Sequence, residues 1–344
     1  MLRVRFAGAL LVASMLMAAG CGNDDSPADT SGDYPVVNDA AGESEEYPTA
    51  AQPDDAAGAA DSSDSGVSGD FAASEESAAS EESGDETAAQ DSPPQRIVSL
   101  SPSATEILFA IGAGPQVAAV DSYSYYPPEA PVTDLSGWDP NVEAVTAYEP
   151  DLVVISTDSN DLVAGLTAVG IPVLVSPAPS DIEGGYGSIA ELGAATGHVD
   201  GAEALIENLR GEIEAALADA PEEPIRVYHE LGEGYFSASS ASFIGAVYAA
   251  AGAANIADDA DPDGIGYPQL TEEYIIESDP ELIVITDQVA YTRDDVLARP
   301  GWGEVAAIEN NNVVVVNADI ASRWGPRLPQ FIAAVVDALT AVDG

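Results

Sequence analysis

The chain carries one motif twice, 130 residues apart: NVEAVTAYEPDLVVIST at 141–157 and TEEYIIESDPELIVITD at 271–287. In each copy a polar helix-starter, Asn141 or Thr271, is followed two residues later by a glutamate, Glu143 or Glu273. A short apolar-periodic helix then ends before Pro150 or Pro280, and an acid opens a buried strand, Leu152–Ile155 or Leu282–Ile285. The same offset sets Arg96-Ile97-Val98 against Arg226-Val227-Tyr228, each opening a strand. Solenoid units recur every ~20–50 residues, so so long a period excludes that architecture. It predicts two similar α/β lobes, each with one glutamate at an equivalent place.

The segments between the copies fit that plan. In the first lobe, strands are expected at Arg96–Leu100, Val117–Asp121, Leu152–Ile155 and Val173–Ser176, with helices near Asp161–Val169 and Ile182–Thr196. Ser103-x-x-Glu106 reads as a capping box opening a further apolar helix that stops at Gly112 or Gly114. Continuous apolar strands separated by helices indicate parallel sheets covered on both faces. The strongest helical signal starts at Asp200-x-x-Glu203, a second expected capping box, and keeps its apolar spacing through Leu217 until Pro221. At about 1.5 Å per residue it is roughly 30 Å long, a stiff connection between the lobes. The second lobe repeats the plan, with strands expected at Ile225–Leu231, Leu282–Thr286 and Val313–Asn317. Its helices are expected near Ser242–Ala251, Thr271–Ser278, Arg293–Ala298 and Gln330–Ala341. The expected organisation is a signal at 1–21, a linker at 22–95, lobes at 96–198 and 222–344, and a joining helix at 199–221.

The first residues form a secretory signal: Arg3 and Arg5 precede an uncharged run from Phe6 to Ala19 too short for a stable membrane anchor. Cys21, the only cysteine, follows Ala18-Ala19-Gly20, a small-residue approach that resembles the lipobox of bacterial lipoproteins. The resemblance implies acylation of Cys21 and an extracytoplasmic protein held at the cell membrane by its lipid. Ala18 stands where the usual leucine would be, and simple cleavage to a free secreted protein is the alternative. Gly22 to Gln95 contains no Lys or Arg and few large apolar side chains, too little burial to offset chain entropy. It is expected to be a disordered acidic linker, which as a flexible tether would span about 50 Å, and more with self-repulsion.

Residues 96–344 carry 40 acidic side chains against 7 arginines, and the whole chain has no lysine. Nucleic acid and anionic membrane surfaces are therefore repelled. With one cysteine, disulfides contribute nothing to the fold.

RIVSLSPSATEILFAIGAG at 96–114, VDSYSYYPPEA at 120–130, RVYHELGEGYFSASSASFIGAVYAAAGAANIA at 226–257, ARPGWGEVAAI at 298–308 and SRWGPRLPQ at 322–330 occur in one order. Together they resemble the class III substrate-binding proteins of ABC importers, a family that takes up cobalamin, iron-siderophore complexes and haem. The resemblance implies two Rossmann-like lobes joined by a rigid helix, with little domain closure. It also implies a monomeric, non-enzymatic receptor that hands a small molecule to a permease and its ATPase, with no cofactor. In that family each lobe offers one surface glutamate to permease arginines, and these correspond to Glu143 and Glu273. Both lie in a first helical turn, where a carboxylate complements the helix dipole and stays accessible.

Ligands of such sheets bind beyond the carboxyl ends of the strands, where the expected loops are rich in aromatics. Tyr123, Tyr126, Trp138, Phe236 and Trp324 are the candidate contacts, since large flat rings suit a corrin, a porphyrin or a catecholate. Arg323 and Arg327 flank Trp324 and are candidates for gripping a carboxylate or an anionic iron complex, unless nearby acids pair them. Sequence leaves corrinoid, ferric siderophore and haem open, with the Tyr-Ser-Tyr-Tyr-Pro-Pro loop at 123–128 leaning toward a corrinoid. Asp259-x-Asp261-x-Asp263-Gly264 starts like a calcium loop, but Leu270 stands where its bidentate glutamate belongs and Pro262 interrupts it. A solvated acidic turn is the better reading. The two histidines, His198 and His229, fall in different lobes, unlike a His-rich zinc site. Gly232-x-Gly234 lacks the third glycine of a dinucleotide loop, and no Gly-x-Ser-x-Gly elbow offers a hydrolase nucleophile. A surface sensor or adhesion module on the same fold is the main rival to a transport receptor, and an extracytoplasmic hydrolase the lesser one.

Overall fold

The computed structural model describes residues 92–343. The expected signal, Cys21 and the linker up to residue 91 lie outside the described residues. The first lobe runs β1 (Ile97–Leu100), α1 (Pro102–Ala110), β2 (Val117–Val120), α2 (Val142–Thr146), β3 (Leu152–Ile155), α3 (Leu162–Ala168), β4 (Val173–Val175) and α4 (Ile182–Thr196). α5 (Val199–Leu217) then leads into β5 (Arg226–Glu230), α6 (Phe243–Ala250), β6 (Ala254–Asn255), α7 (Glu272–Ser278) and β7 (Leu282–Thr286). The second lobe ends with α8 (Arg293–Leu297), α9 (Ala306–Glu309), β8 (Val313–Val316), α10 (Ala318–Ala321) and α11 (Leu328–Asp343).

Each lobe has a four-stranded, wholly parallel sheet, ordered β2-β1-β3-β4 and β6-β5-β7-β8. β1 meets β3 with Ile97 opposite Leu152, and β5 meets β7 with Val227 opposite Leu282. Strands such as Leu-Val-Val-Ile at 152–155 are buried along their whole length, as a sheet covered on both faces requires. In both sheets the chain leaves the first strand for one neighbour and returns past it to the other side. That reversal opens a crevice at the carboxyl ends of β1 and β3, and of β5 and β7.

The repeated motif forms the same knot in each lobe. The backbone N–H of Arg96 donates to Asp151 at 2.8 Å, and that of Arg226 donates to Glu281 at 3.0 Å. Each guanidinium Nε donates to the carbonyl of the left-handed residue just before the motif's proline: Arg96 to Glu149 (φ 50°), in the turn after α2, at 3.1 Å, and Arg226 to Asp279 (φ 48°), the C-cap of α7, at 2.7 Å. Orphan carbonyls at a helix end thus find a cation, favoured there by the helix dipole.

One apolar core runs through both lobes. It joins Ile107 and Leu108 of α1, Ile189 and Leu192 of α4, Leu209 and Ile213 of α5, Val247 of α6, and Phe331 and Val335 of α11. α5 lies against both α4 and α11, so the joining helix is packed and not a free strut. Smaller clusters fill the outer face of each sheet, around Val153 and Leu166 in one and Ile283 and Trp302 in the other.

Neither expected capping box forms. α1 is capped two residues earlier by Ser101, whose hydroxyl accepts from Ala104 N–H at 3.3 Å, which leaves Glu106 in the helix interior. α5 starts after His198 with no side-chain cap, and Asp200 sits inside its first turn. Two short helices, α9 and α10, and the two-residue β6 were not expected. Among the described residues no helix is long and apolar enough to cross a membrane.

Candidate functional site

The carboxyl ends of the strands in the two sheets meet around a cavity of about 300 Å3. Its first-lobe wall is Ser101, Pro102 and Ser103 after β1, Tyr123 after β2 and Ser156 after β3. Its second-lobe wall is Gln288 after β7, and Asp319, Ser322, Arg323 and Trp324 from the segment after β8. A neighbouring cavity of about 330 Å3 shares Gln288 and Ser322 and reaches His229, Ile244 and Thr286. Both therefore lie at the switch crevices that the strand orders create. The walls are hydroxyls, an amide, aromatic faces and an aspartate.

An ionic cluster crosses between the lobes beneath this cavity. Glu106, 1% exposed on α1, accepts from Arg323 Nη1 at 3.0 Å and from Arg327 Nε at 2.9 Å. Arg323 also donates to Asp319 at 2.9 Å and to the Tyr123 carbonyl at 3.1 Å. Arg327 lies 4.2 Å over the Tyr126 ring and Arg323 5.3 Å over that of Tyr125, whose hydroxyl donates to Asp319. Cations against ring faces fix the orientation of those tyrosines. Burial and the adjacent Asp319 carboxylate push the Tyr125 hydroxyl up, so it stays a donor.

Of the expected ligand contacts, Tyr123, Trp324 and Arg323 line the cavity together, with Tyr126 and Arg327 beside it. Arg323 and Arg327, candidates for gripping an anionic ligand unless nearby acids pair them, are both bound to Glu106. Trp324 packs edge-on to Phe243 and keeps a buried Nε1–H with no acceptor among the described residues. Trp138 and Phe236 stand on exposed loops outside that cavity wall, 86% and 43% exposed. Gly137 lets the Trp138 loop press onto the sheet, since a Cβ there would lie 2.4 Å from the Leu100 carbonyl oxygen and 2.7 Å from Asp121. Phe236 follows a tight turn through Gly234 and Tyr235, both with positive φ, and bridges to Gln269.

α2 and α7 each precede a strand of a parallel sheet, so their first turns lie at the carboxyl edge, the edge that bears the cleft. Glu143 and Glu273 are exposed there, behind helix caps from Asn141 to Ala144 N–H (2.9 Å) and from Thr271 to Tyr274 N–H (3.2 Å). Asp261 is the hub of its own loop. It accepts from Ile265 and Gly266 N–H and from the Ser239 hydroxyl, and Ser239 and those amides hold its carboxyl below the usual range. Asp259 and Asp263 stay exposed, and no acidic or histidine cluster suited to a metal occurs among the described residues.

Glu106 was legible only as a helix cap, and the serines, Gln288 and Asp319 carried no sequence signal of their own. One available hint was the i,i+4 spacing of Asp319 and Arg323. The other was a carboxylate set in the apolar run of α1.

Residues 97–320 match the family model for periplasmic binding proteins. A cobalamin-binding protein of Halobacterium salinarum is 35% identical over 72% of this chain and 70% of its own. YvrC of Bacillus subtilis, an uncharacterized ABC transporter substrate-binding lipoprotein, is 30% identical over 74% of this chain and 84% of its own. Among solved structures, the periplasmic heme-binding protein RhuT of Roseiflexus superposes with a TM-score of 0.66 and 25% identity, over 73% of this chain and 99% of its own. The two parallel-sheet α/β lobes match the fold of that solved structure. The chain belongs to the periplasmic binding protein family, the substrate-binding components of ABC importers.

Proposed function

We propose that this protein captures a neutral corrinoid in the inter-lobe cleft, as a lipid-anchored monomer, and delivers it to an ABC permease and its ATPase. The observation that carries the corrinoid reading is that both arginines at the cleft, Arg323 and Arg327, are already paired with Glu106, and that every other arginine among the described residues is bonded away from it. Glu106 holds Arg323 and Arg327, Glu230 holds Arg299, and Arg96, Arg210, Arg226 and Arg293 are bonded elsewhere. A ligand rich in carboxylates or phenolates meets no unpaired cation in the cleft, while hydroxyls and Gln288 suit a ligand rimmed with amides. Relatedness to a cobalamin-binding protein supports the same choice. Tyr123, Tyr126 and Trp324 would flank the ligand, with Trp138 and Phe236 closing over it from the two rims. Glu143 and Glu273 are the docking points for basic side chains of the permease, and acylated Cys21 is the anchor.

Titration of the purified protein with cyanocobalamin, read by the corrin absorbance, is expected to saturate at one ligand per chain. Saturable binding of a ferric siderophore with none of cyanocobalamin overturns the corrinoid reading. The paired variant Glu143→Lys with Glu273→Lys is expected to bind as before and to abolish uptake in cells. Unimpaired uptake removes the docking assignment.

A further inference from the structure

We propose that Glu106 is a specificity-determining residue: a built-in anion that occupies the two guanidiniums at the cleft and so keeps carboxylate-bearing ligands out. The inference rests on the cleft being the ligand site and deepens that reading.

Arg323 is the arginine placed to meet a ligand, and Arg327 shares its Glu106 carboxylate. Arg323 lines the cavity, and the rings stacked on both, Tyr125 and Tyr126, are 45% and 37% exposed. Glu106 approaches from the other side. α1 follows β1 after a single residue, Ser101, and turns this carboxylate toward the opposite lobe. Each of its oxygens receives a guanidinium N–H. Among the ion-paired groups, with Asp319 included, two carboxylates face two guanidiniums; the buried Asp121 also feels Arg323, and burial pushes its carboxyl up. A carboxylate-bearing ligand that took over the N–H groups now bound to Glu106 or Asp319 would leave a protein carboxylate without a partner, which is strongly unfavourable away from water.

Neutralising Glu106 reverses the balance. One uncompensated positive charge then stands beside a cavity of about 300 Å3, with planar N–H forks of the shape that binds a carboxylate. Glu230 supplies the contrast. It is equally buried and equally bound to an arginine, Arg299, but that guanidinium is enclosed by Tyr235, Tyr291 and Trp302 and borders neither cleft cavity.

The test titrates wild type, Glu106→Gln, Asp319→Asn and Glu230→Gln with haematin, an anionic tetrapyrrole, and with cyanocobalamin, at one ionic strength. Glu106→Gln is expected to bind haematin about tenfold more tightly than wild type, the effect of one regained charge-assisted hydrogen bond. Asp319→Asn, which frees Arg323 while Glu106 remains, shifts the same way and carries the test if Glu106→Gln does not fold. Glu230→Gln shifts neither ligand. Haematin binding unchanged in the folded cleft variants, or raised equally in Glu230→Gln, overturns the proposal. Failure of wild type to bind cyanocobalamin overturns the corrinoid reading instead and leaves the comparison of variants intact.

Discussion

The two lobes share one half of their construction and differ in the other. The unit from α2 to β3 and the unit from α7 to β7 agree in cap, glutamate, left-handed residue, proline and strand, down to the arginine that ties each to the first strand. The connections after the first strands do not agree. β1 passes into α1 almost at once, whereas residues 231–242 intervene between β5 and α6 and build the turn that carries Phe236. The buried glutamates diverge accordingly: Glu106 reaches into the other lobe, and Glu230 stays bound to Arg299 in its own. The conserved unit is thus the frame that presents Glu143 and Glu273 alike, and the divergent connections shape the cleft.

Removing either buried glutamate gives the largest effect and sharpens that contrast. Glu106→Ala and Glu230→Ala each strand a mostly buried guanidinium, and each is expected to lower stability by about 3–5 kcal/mol in urea denaturation. A loss below about 1 kcal/mol for Glu106→Ala would show that the lobes do not lean on their shared cluster.

His229 sits at the place in β5 that Ser99 holds in β1, one bonded to the Tyr248 hydroxyl and the other to the Thr105 hydroxyl. Burial pulls the imidazole down to about 4 from an ordinary 6.5. The unfolded chain therefore takes up a proton below pH 6.5 that the folded chain refuses until about pH 4. The stabilising contribution is complete above pH 6.5 and lost across that window, on the order of 3 kcal/mol in total. His229→Gln is expected to flatten the fall in melting temperature between pH 7 and 5. An unaltered slope assigns the acid sensitivity to other groups.

The smallest effects test the sameness of the knots. Asp151→Ala and Glu281→Ala each remove an acceptor from the arginine N–H that opens a first strand, and each is expected to cost about 1 kcal/mol. Clearly unequal losses break the equivalence of the two lobes.

Much of the frame was readable because it is local. The apolar runs at 152–155 and 282–286 and the caps at Asn141 and Thr271 act within a few residues, and their spacing survives in the sequence. The cleft was less readable because its decisive contacts join residues some 220 positions apart. The partner of Arg327 is a glutamate whose neighbours suggested a helix cap. In a chain with so many acids, sequence alone could not single out the one that mattered. The serines of the cavity wall became meaningful only when strand order brought Ser101 and Ser156 side by side.

The core that runs unbroken from α1 through α5 to α11 has a further consequence. Lobes that share their packing cannot part or close widely without repacking that core, which opposes a large change of shape when the cleft fills. On the docking proposed above, an empty copy would then present Glu143 and Glu273 much as a full one does. Under that proposal, telling full from empty would fall to the exposed part of the cargo itself, and an excess of unloaded receptor would compete with the loaded form.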